Sequence, residues 1–168
     1  IRRTIADLEK ENNERKQAAK ALKEAYDIIN KSRSVAFLWK NAEGWPVEFV
    51  SANVRNLFGY SADDFTSGRI SYARIIHPED VTRVAREVTL HSEMKDRQDF
   101  DHAPYRIITK DGQVKWLSDN TTIRKDSQGK VTHFQGIVED ITQRKQAEDE
   151  RDRLISACLL YTSPSPRD

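Results

Sequence analysis

The 168 residues, 37% hydrophobic and 33% charged, suit one globular domain with polar extensions. With 28 basic and 27 acidic side chains the net charge is +1, which disfavours nucleic acid and anionic membranes as partners. No apolar run approaches the ~20 residues of a membrane span, and Ile1-Arg2-Arg3 is neither a start nor a signal peptide, so the expectation is an internal piece of a longer cytoplasmic protein.

Residues 1–32 form a charged linker. From Ile5 to Ile29 there is no Gly or Pro, and a heptad register places Ile5, Asn12, Ala19 and Tyr26 at one seam position and Leu8, Arg15, Leu22 and Ile29 at the other. Asn12 and Arg15 interrupt the stripe, so a two-helix coiled coil with a loose centre is expected. The alternative is a single solvated helix folded back on its own domain.

Residues 33–142 change to strand-like periods. Two short strands, Val35 to Trp39 and Val47 to Val50, flank a turn with Asn41, Gly44 and Pro46. Short helices follow: Leu57-Phe58 close an apolar face, Gly59 suits a helix end, and Ser61 with Asp64 three residues on can cap a new start. Helical character continues through Ile70 to Met94, with Pro78, Glu79 and Asp80 near a helix N-terminus and Val81, Val84, Ala85 and Val88 as the buried stripe. Three strands close the domain, Tyr105 to Thr109, Val114 to Ile123 and Val131 to Ile141. The hairpin signals Lys110-Asp111-Gly112-Gln113 and Asp126-Ser127-Gln128-Gly129-Lys130 join them.

Residues 143–157 read as a second charged linker helix, in which Arg144, Lys145 and Asp149 stand four residues before Glu148, Asp149 and Arg153, each pair opposite in charge, and Thr142 is placed as its cap. Arg144-Lys145-Gln146-Ala147 repeats Arg15-Lys16-Gln17-Ala18. The repeat is what an array of similar modules leaves behind, although helix linkers of shared composition also produce it. Residues 158–168, "CLLYTSPSPRD", lose the helical period and resemble a translated sequencing adapter, so they are set aside as a non-native tail; a natural Ser/Pro linker is the other reading. Cys158 is the single cysteine, and setting it aside removes disulfide, thiolate and cysteine-metal chemistry.

No nucleophile set or glycine-rich phosphate loop is present, and His77, His91, His102 and His133 are dispersed without ligand spacing. No catalytic activity and no metal site are expected of these residues. Asp63-Asp64 and Glu79-Asp80 are read as helix-start carboxylates and not as acid/base pairs.

Two strands, several short helices and three strands between charged helices is the order of a PAS domain. "NLFGYSADDF", "IIHPEDVTRV", "YRIITKDGQVKW", "IRKDSQGKVTHFQGIVEDIT" and "QRKQAE" resemble, in order, the PAS module of bacterial and archaeal sensor proteins, of the PAS fold-3 type with its DIT exit motif. The resemblance implies an α+β fold, a five-stranded antiparallel sheet with short helices on one face, flanked by N- and C-terminal signalling helices. It implies a signal-relay module of a sensor histidine kinase or diguanylate cyclase, in which Asp140, Ile141 and Thr142 pass a ligand- or partner-induced change to a downstream output domain. A ligand-free dimerisation spacer is the alternative. Homodimerisation through the flanking helices and the outer sheet face is the expected assembly.

The same resemblance bears on cofactors. Flavin-binding light sensors carry a reactive cysteine where this chain has Ser71-Tyr72-Ala73-Arg74-Ile75-Ile76, which excludes a flavin-cysteinyl adduct. Haem-binding relatives place an axial histidine where this chain has Val84-Ala85-Arg86, with His91 further along, which argues against haem. The cofactor therefore stays unknown. In the family's orientation, strand alternation turns Tyr105, Ile107, Leu117, Asp119, Thr121, Phe134, Gly136 and Val138 toward the helices, and Arg106, Trp116, Gln135 and Ile137 away. The ligand-pocket candidates are Tyr105, Ile107, Leu117, Asp119, Thr121, Phe134 and Val138. Asp119 is the odd polar member, expected to bond a helix backbone N–H or water, with a ligand contact as the alternative. The outward Trp116 and Ile137 need a cover, from the N-terminal helix or a partner subunit.

Overall fold

The computed structural model describes residues 2–161. Helix α1 (Ile5–Lys31) opens on a capping box: the Thr4 hydroxyl accepts from the Asp7 N–H at 3.2 Å, and the Asp7 carboxylate accepts from the Thr4 N–H at 3.3 Å. None of its residues is buried, so the helix is not folded back along the domain. It meets the domain at its C-terminal end, where the Tyr26 ring lies 6.4 Å from that of Phe49.

The expected strand pair is present as β1 (Ser34–Lys40) and β2 (Val47–Val50). Helix α2 (Val54–Phe58) stops at Gly59, whose φ of 82° is the left-handed conformation that glycine adopts without strain. Ser61 and Asp64 form the capping box of α3 (Ala62–Thr66). The helical stretch beyond Ile70 is then broken into α4 (Tyr72–Ile75) and α5 (Val81–Glu93). Pro78 has no N–H for a helical ladder, and the backbone before it turns to the sheet instead: Ile76 bridges Ile107, and the His77 N–H donates to the Arg106 carbonyl at 2.9 Å.

The remaining strands are β3 (Asp99–Asp101), β4 (Tyr105–Ile108), β5 (Val114–Lys125) and β6 (Val131–Asp140), and α6 (Thr142–Tyr161) follows. All pairings are antiparallel, in the order β2-β1-β6-β5, with β3 and β4 sharing the last edge. Strand β3 was not expected. It is one buried aromatic, Phe100, between two exposed aspartates, too short for alternation to register. Since β3 pairs with Asn120 to Thr122 and β4 with Val114 to Leu117, the two are one edge strand interrupted before Pro104, and the sheet has five strand positions.

The small helices cover one face of this sheet, over a core of Val35, Phe37, Phe58, Phe65, Ile75, Leu117 and Val138. Phe37 organises it, stacking on Trp39 at 5.0 Å and Phe58 at 6.0 Å and meeting Phe65 and Tyr72 edge-on. Gly136 sits in mid-strand because the Trp39 ring lies over it: a Cβ there would come within 2.5 Å of that ring. Strand parity follows the alternation, with Tyr105, Leu117, Phe134 and Val138 buried while Gln135 and Ile137 are exposed. Helix α6 runs past the expected limit at Ala157 and takes in Cys158 to Tyr161 with exposed side chains; the rest of the segment set aside as a tail, 162–168, lies outside the described residues.

Candidate functional site

Between the sheet and α5 lies a cavity lined by Trp39, Trp45, Tyr72, Val84, Val88, His102, Tyr105, Asp119, Thr121 and Phe134. Of the residues singled out by alternation, Tyr105, Asp119, Thr121 and Phe134 line it. Ile107, Leu117 and Val138 do not: they belong to the apolar core, Ile107 beneath its bridge to Ile76. Trp39, Trp45, Tyr72 and His102 complete the wall and were not singled out. For Trp39 the signal was present, since alternation along β1 puts Val35, Phe37 and Trp39 on one face. For His102, which follows a strand too short to read, there was none.

Asp119 is 3% exposed. Its partners are hydroxyls of the sheet and not a helix backbone N–H: Tyr105 donates at 2.6 Å and Thr121 at 2.9 Å. With the Tyr105 proton committed to Asp119, the Tyr72 hydroxyl donates to Tyr105 at 2.8 Å, which makes a buried chain Tyr72–Tyr105–Asp119. Burial raises the Asp119 carboxyl above its ordinary range, against the counter-effects of a nearby His102 and the two hydroxyls. Burial, and then the Asp119 charge, raise both tyrosines well above theirs.

His102 turns its Nδ1 to the Glu87 carboxylate at 2.8 Å, and Arg83 bonds the same carboxylate at 2.6 Å. Burial alone raises Glu87, but these two partners hold it below the usual carboxylate range. The Trp39 indole is 4% exposed, and its Nε1 has no hydrogen-bond partner among the described residues. His91 does not line the cavity; it stacks on Phe100 at 4.4 Å. The cavity measures about 20 Å³, room for about one water, which needs ~10–15 Å³. In this arrangement the lining residues do not fit a flavin or a haem.

The second locus is the exit from the sheet. Asp140 accepts from the Thr142 N–H at 3.0 Å and from its hydroxyl at 2.6 Å. Thr142 was expected to cap α6, but its oxygen accepts instead from the Trp116 N–H at 3.0 Å, while the Ile141 N–H donates to the Trp116 carbonyl at 2.9 Å. The capping carboxylate is therefore Asp140, and Thr142 ties the helix start to β5. Burial raises the Asp140 carboxyl, yet its bonds to Thr142 and the Lys115 ammonium, 3.4 Å away, bring it below the ordinary range. Lys115 also donates to the Leu57 carbonyl at 2.6 Å.

Within the chain the outer face of Trp116 is covered not by α1 but by two cations, Arg106 at 5.4 Å and Lys145 at 5.2 Å from the ring centroid. Lys145 is thereby engaged by Trp116 and, at 3.9 Å, by Glu148 instead of Asp149. Asp80, half of the expected helix-start pair, makes no cap bond; it receives two side-chain bonds from Arg106, at 3.0 and 2.8 Å, and Glu79 receives a third at 2.9 Å. No cluster of His, Cys, Asp and Glu suited to a metal ion occurs among the described residues.

Comparison with known proteins locates this architecture. The family model described as PAS fold matches residues 47–138. The methyl sulfide methyltransferase-associated sensor of Methanosarcina acetivorans is 46% identical over 122 residues, spanning 73% of this chain but 12% of that protein's length. Among solved structures, the N-terminal domain of a diguanylate cyclase with PAS/PAC sensor from Marinobacter aquaeolei superposes with a TM-score of 0.56 at 23% identity, covering 67% of this chain and 98% of that one. A sensory box histidine kinase/response regulator from Burkholderia thailandensis gives 0.61 at 22% identity, covering 77% and 93%. At such identities these two likenesses speak for the fold alone.

Proposed function

This chain belongs to the PAS family, and we propose that it is a non-catalytic sensory and relay module of a longer cytoplasmic signalling protein. A change in its core, induced by a ligand or a partner, is passed through Asp140, Ile141 and Thr142 to α6 and on to an output domain of the histidine kinase or diguanylate cyclase kind. The observation that carries this reading is the junction itself. Strand β6 ends at Asp140 and α6 begins at Thr142, with both backbone groups of Trp116 bonded there, one to Ile141 between sheet and helix and one to Thr142 at the helix start. No flexible linker stands there to absorb a movement of β5 or β6. The expected assembly is a homodimer through α1, α6 and the outer sheet face. No helix among the described residues is long and apolar enough to cross a membrane.

The water-sized cavity favours a second reading, a dimerisation spacer with a filled core. Two measurements separate them. Denaturing the purified protein and analysing the supernatant by mass spectrometry should release a small molecule, or a metabolite panel should raise the melting temperature. With a kinase or cyclase fused after α6, Asp140→Ala should shift or lock the output while the core still melts cooperatively. Output that follows only the loss of folding, together with no ligand, leaves the spacer.

A further inference from the structure

The cavity has a polar balance of its own. Its wall is aromatic, with Trp39, Trp45, Tyr72, Tyr105 and Phe134, and it encloses one carboxylate, Asp119. That carboxylate is satisfied by two neutral hydroxyls and still has lone pairs to offer. The cation nearest in kind, Arg83, is occupied outside the cavity by Glu87 and by the carbonyls of Ala103 and Pro104. His102, the remaining basic group in the wall, turns its Nδ1 to Glu87. Negative charge at Asp119 therefore has only this His102 ring, already turned to Glu87, as a basic neighbour in a wall of π faces, and a carboxylate so placed attracts a cation. A second observation points to a ligand as well: Trp39 lines the cavity and its buried Nε1–H has no partner among the described residues, so a molecule that presents an acceptor to it gains a hydrogen bond.

We infer that the cavity is a binding site for a small organic ammonium ion carrying an oxygen acceptor close to its nitrogen, with the ammonium on Asp119 and the oxygen on Trp39 Nε1. The volume of about 20 Å³ holds about one water, so an ion of a few heavy atoms is admitted only as the rim residues Trp45 and Val88, both half-buried, give way. This inference rests on the reading of the cavity as the sensing site.

Ethanolamine, ethylammonium and the neutral 1-propanol are suitable probes, read by calorimetry and by thermal shift on the full chain. Ethanolamine should bind at least tenfold more tightly than 1-propanol, with ethylammonium between them. Asp119→Asn should erase the preference for charge, and Trp39→Phe, which keeps a ring, should erase the margin of ethanolamine over ethylammonium; circular dichroism checks that both variants are folded. If 1-propanol binds as well as the two ammonium ions, the ligand class is overturned while the cavity remains a site. If none of the three binds and Asp119→Asn leaves the response to the fused output's stimulus intact, both inferences fall.

Discussion

Asp80 and Asp119 stand on opposite sides of the ordinary carboxylate range, and their contributions to stability run in opposite directions with pH. Arg106 side-chain bonds outweigh burial and bring Asp80 down to about 2, from 3.8. A depressed carboxyl stabilises the fold above the unfolded value and loses that contribution as pH falls from about 4 to about 2, on the order of 2 kcal/mol in all. Arg106→Met should abolish that acid-side slope in urea unfolding; a variant with the slope intact would show the pair to be idle. Asp119 is raised, so its burial is penalised least while it is protonated and weakens the fold as pH climbs above the ordinary carboxylate range. Asp119→Asn should therefore compare better with the parent at pH 8 than at pH 4, and an unchanged difference would mean the carboxylate is better solvated than its burial indicates. Sequence alternation marked Asp119 as a buried polar group because period two is visible in β5. The pairing of Asp80 with Arg106, and of His102 with Glu87, joins residues on different elements, and no local pattern encodes such contacts.

The five-residue helix α2 holds both flanking helices. At its start Asn53, buried, donates to the carbonyls of Ile29 at 2.9 Å and Ser34 at 2.7 Å, where α1 gives way to β1. At its end the Leu57 carbonyl receives the Lys115 ammonium, which reaches Asp140 and so the start of α6. Sequence reasoning found α2 from Leu57, Phe58 and the Gly59 stop, but its role depends on a lysine 58 positions downstream, beyond any periodicity. Lys115→Met removes the ammonium from the Leu57 carbonyl and from the Asp140 carboxylate, and should cost about 1–3 kcal/mol. It should also speed amide exchange in the first turn of α6 and not at the end of α1, whereas Asn53→Ala should do the reverse. Equal loosening at both ends in either variant would mean that α2 only contributes to the core.

At the scale of the whole molecule the two flanking helices meet one end of the sheet, because Ser34 at the start of β1 pairs with Glu139 near the end of β6. The junctions touch directly, the Arg33 guanidinium donating to the Gln143 side chain at 3.1 Å. Whatever orders α1 is thus felt where α6 begins. Helix α1 by itself buries nothing, and its seam residues Ile5 and Leu22 are 77% and 73% exposed, while Phe49 and Ile137 on the outer sheet face are 45% and 47% exposed. A 27-residue helix held by its caps and by the exposed pairs of Glu11 with Arg15 and with Arg3 gains too little locally to be stable in isolation. The seam was legible because heptads are a sequence property; what lies across it is not, since a helix stripe carries no address. A second copy of the chain supplies a matching stripe, and with a net charge of +1 the two copies repel little. Sedimentation should therefore show a dimer. Leu8→Glu with Leu22→Glu should convert it to a monomer and lower helicity by circular dichroism, yet leave the domain's melting temperature almost unchanged, because neither leucine touches the core. A chain that sediments as a monomer with α1 fully helical would assign the stripe to some other partner, and a double variant that remains dimeric would move the interface to Phe49 and Ile137.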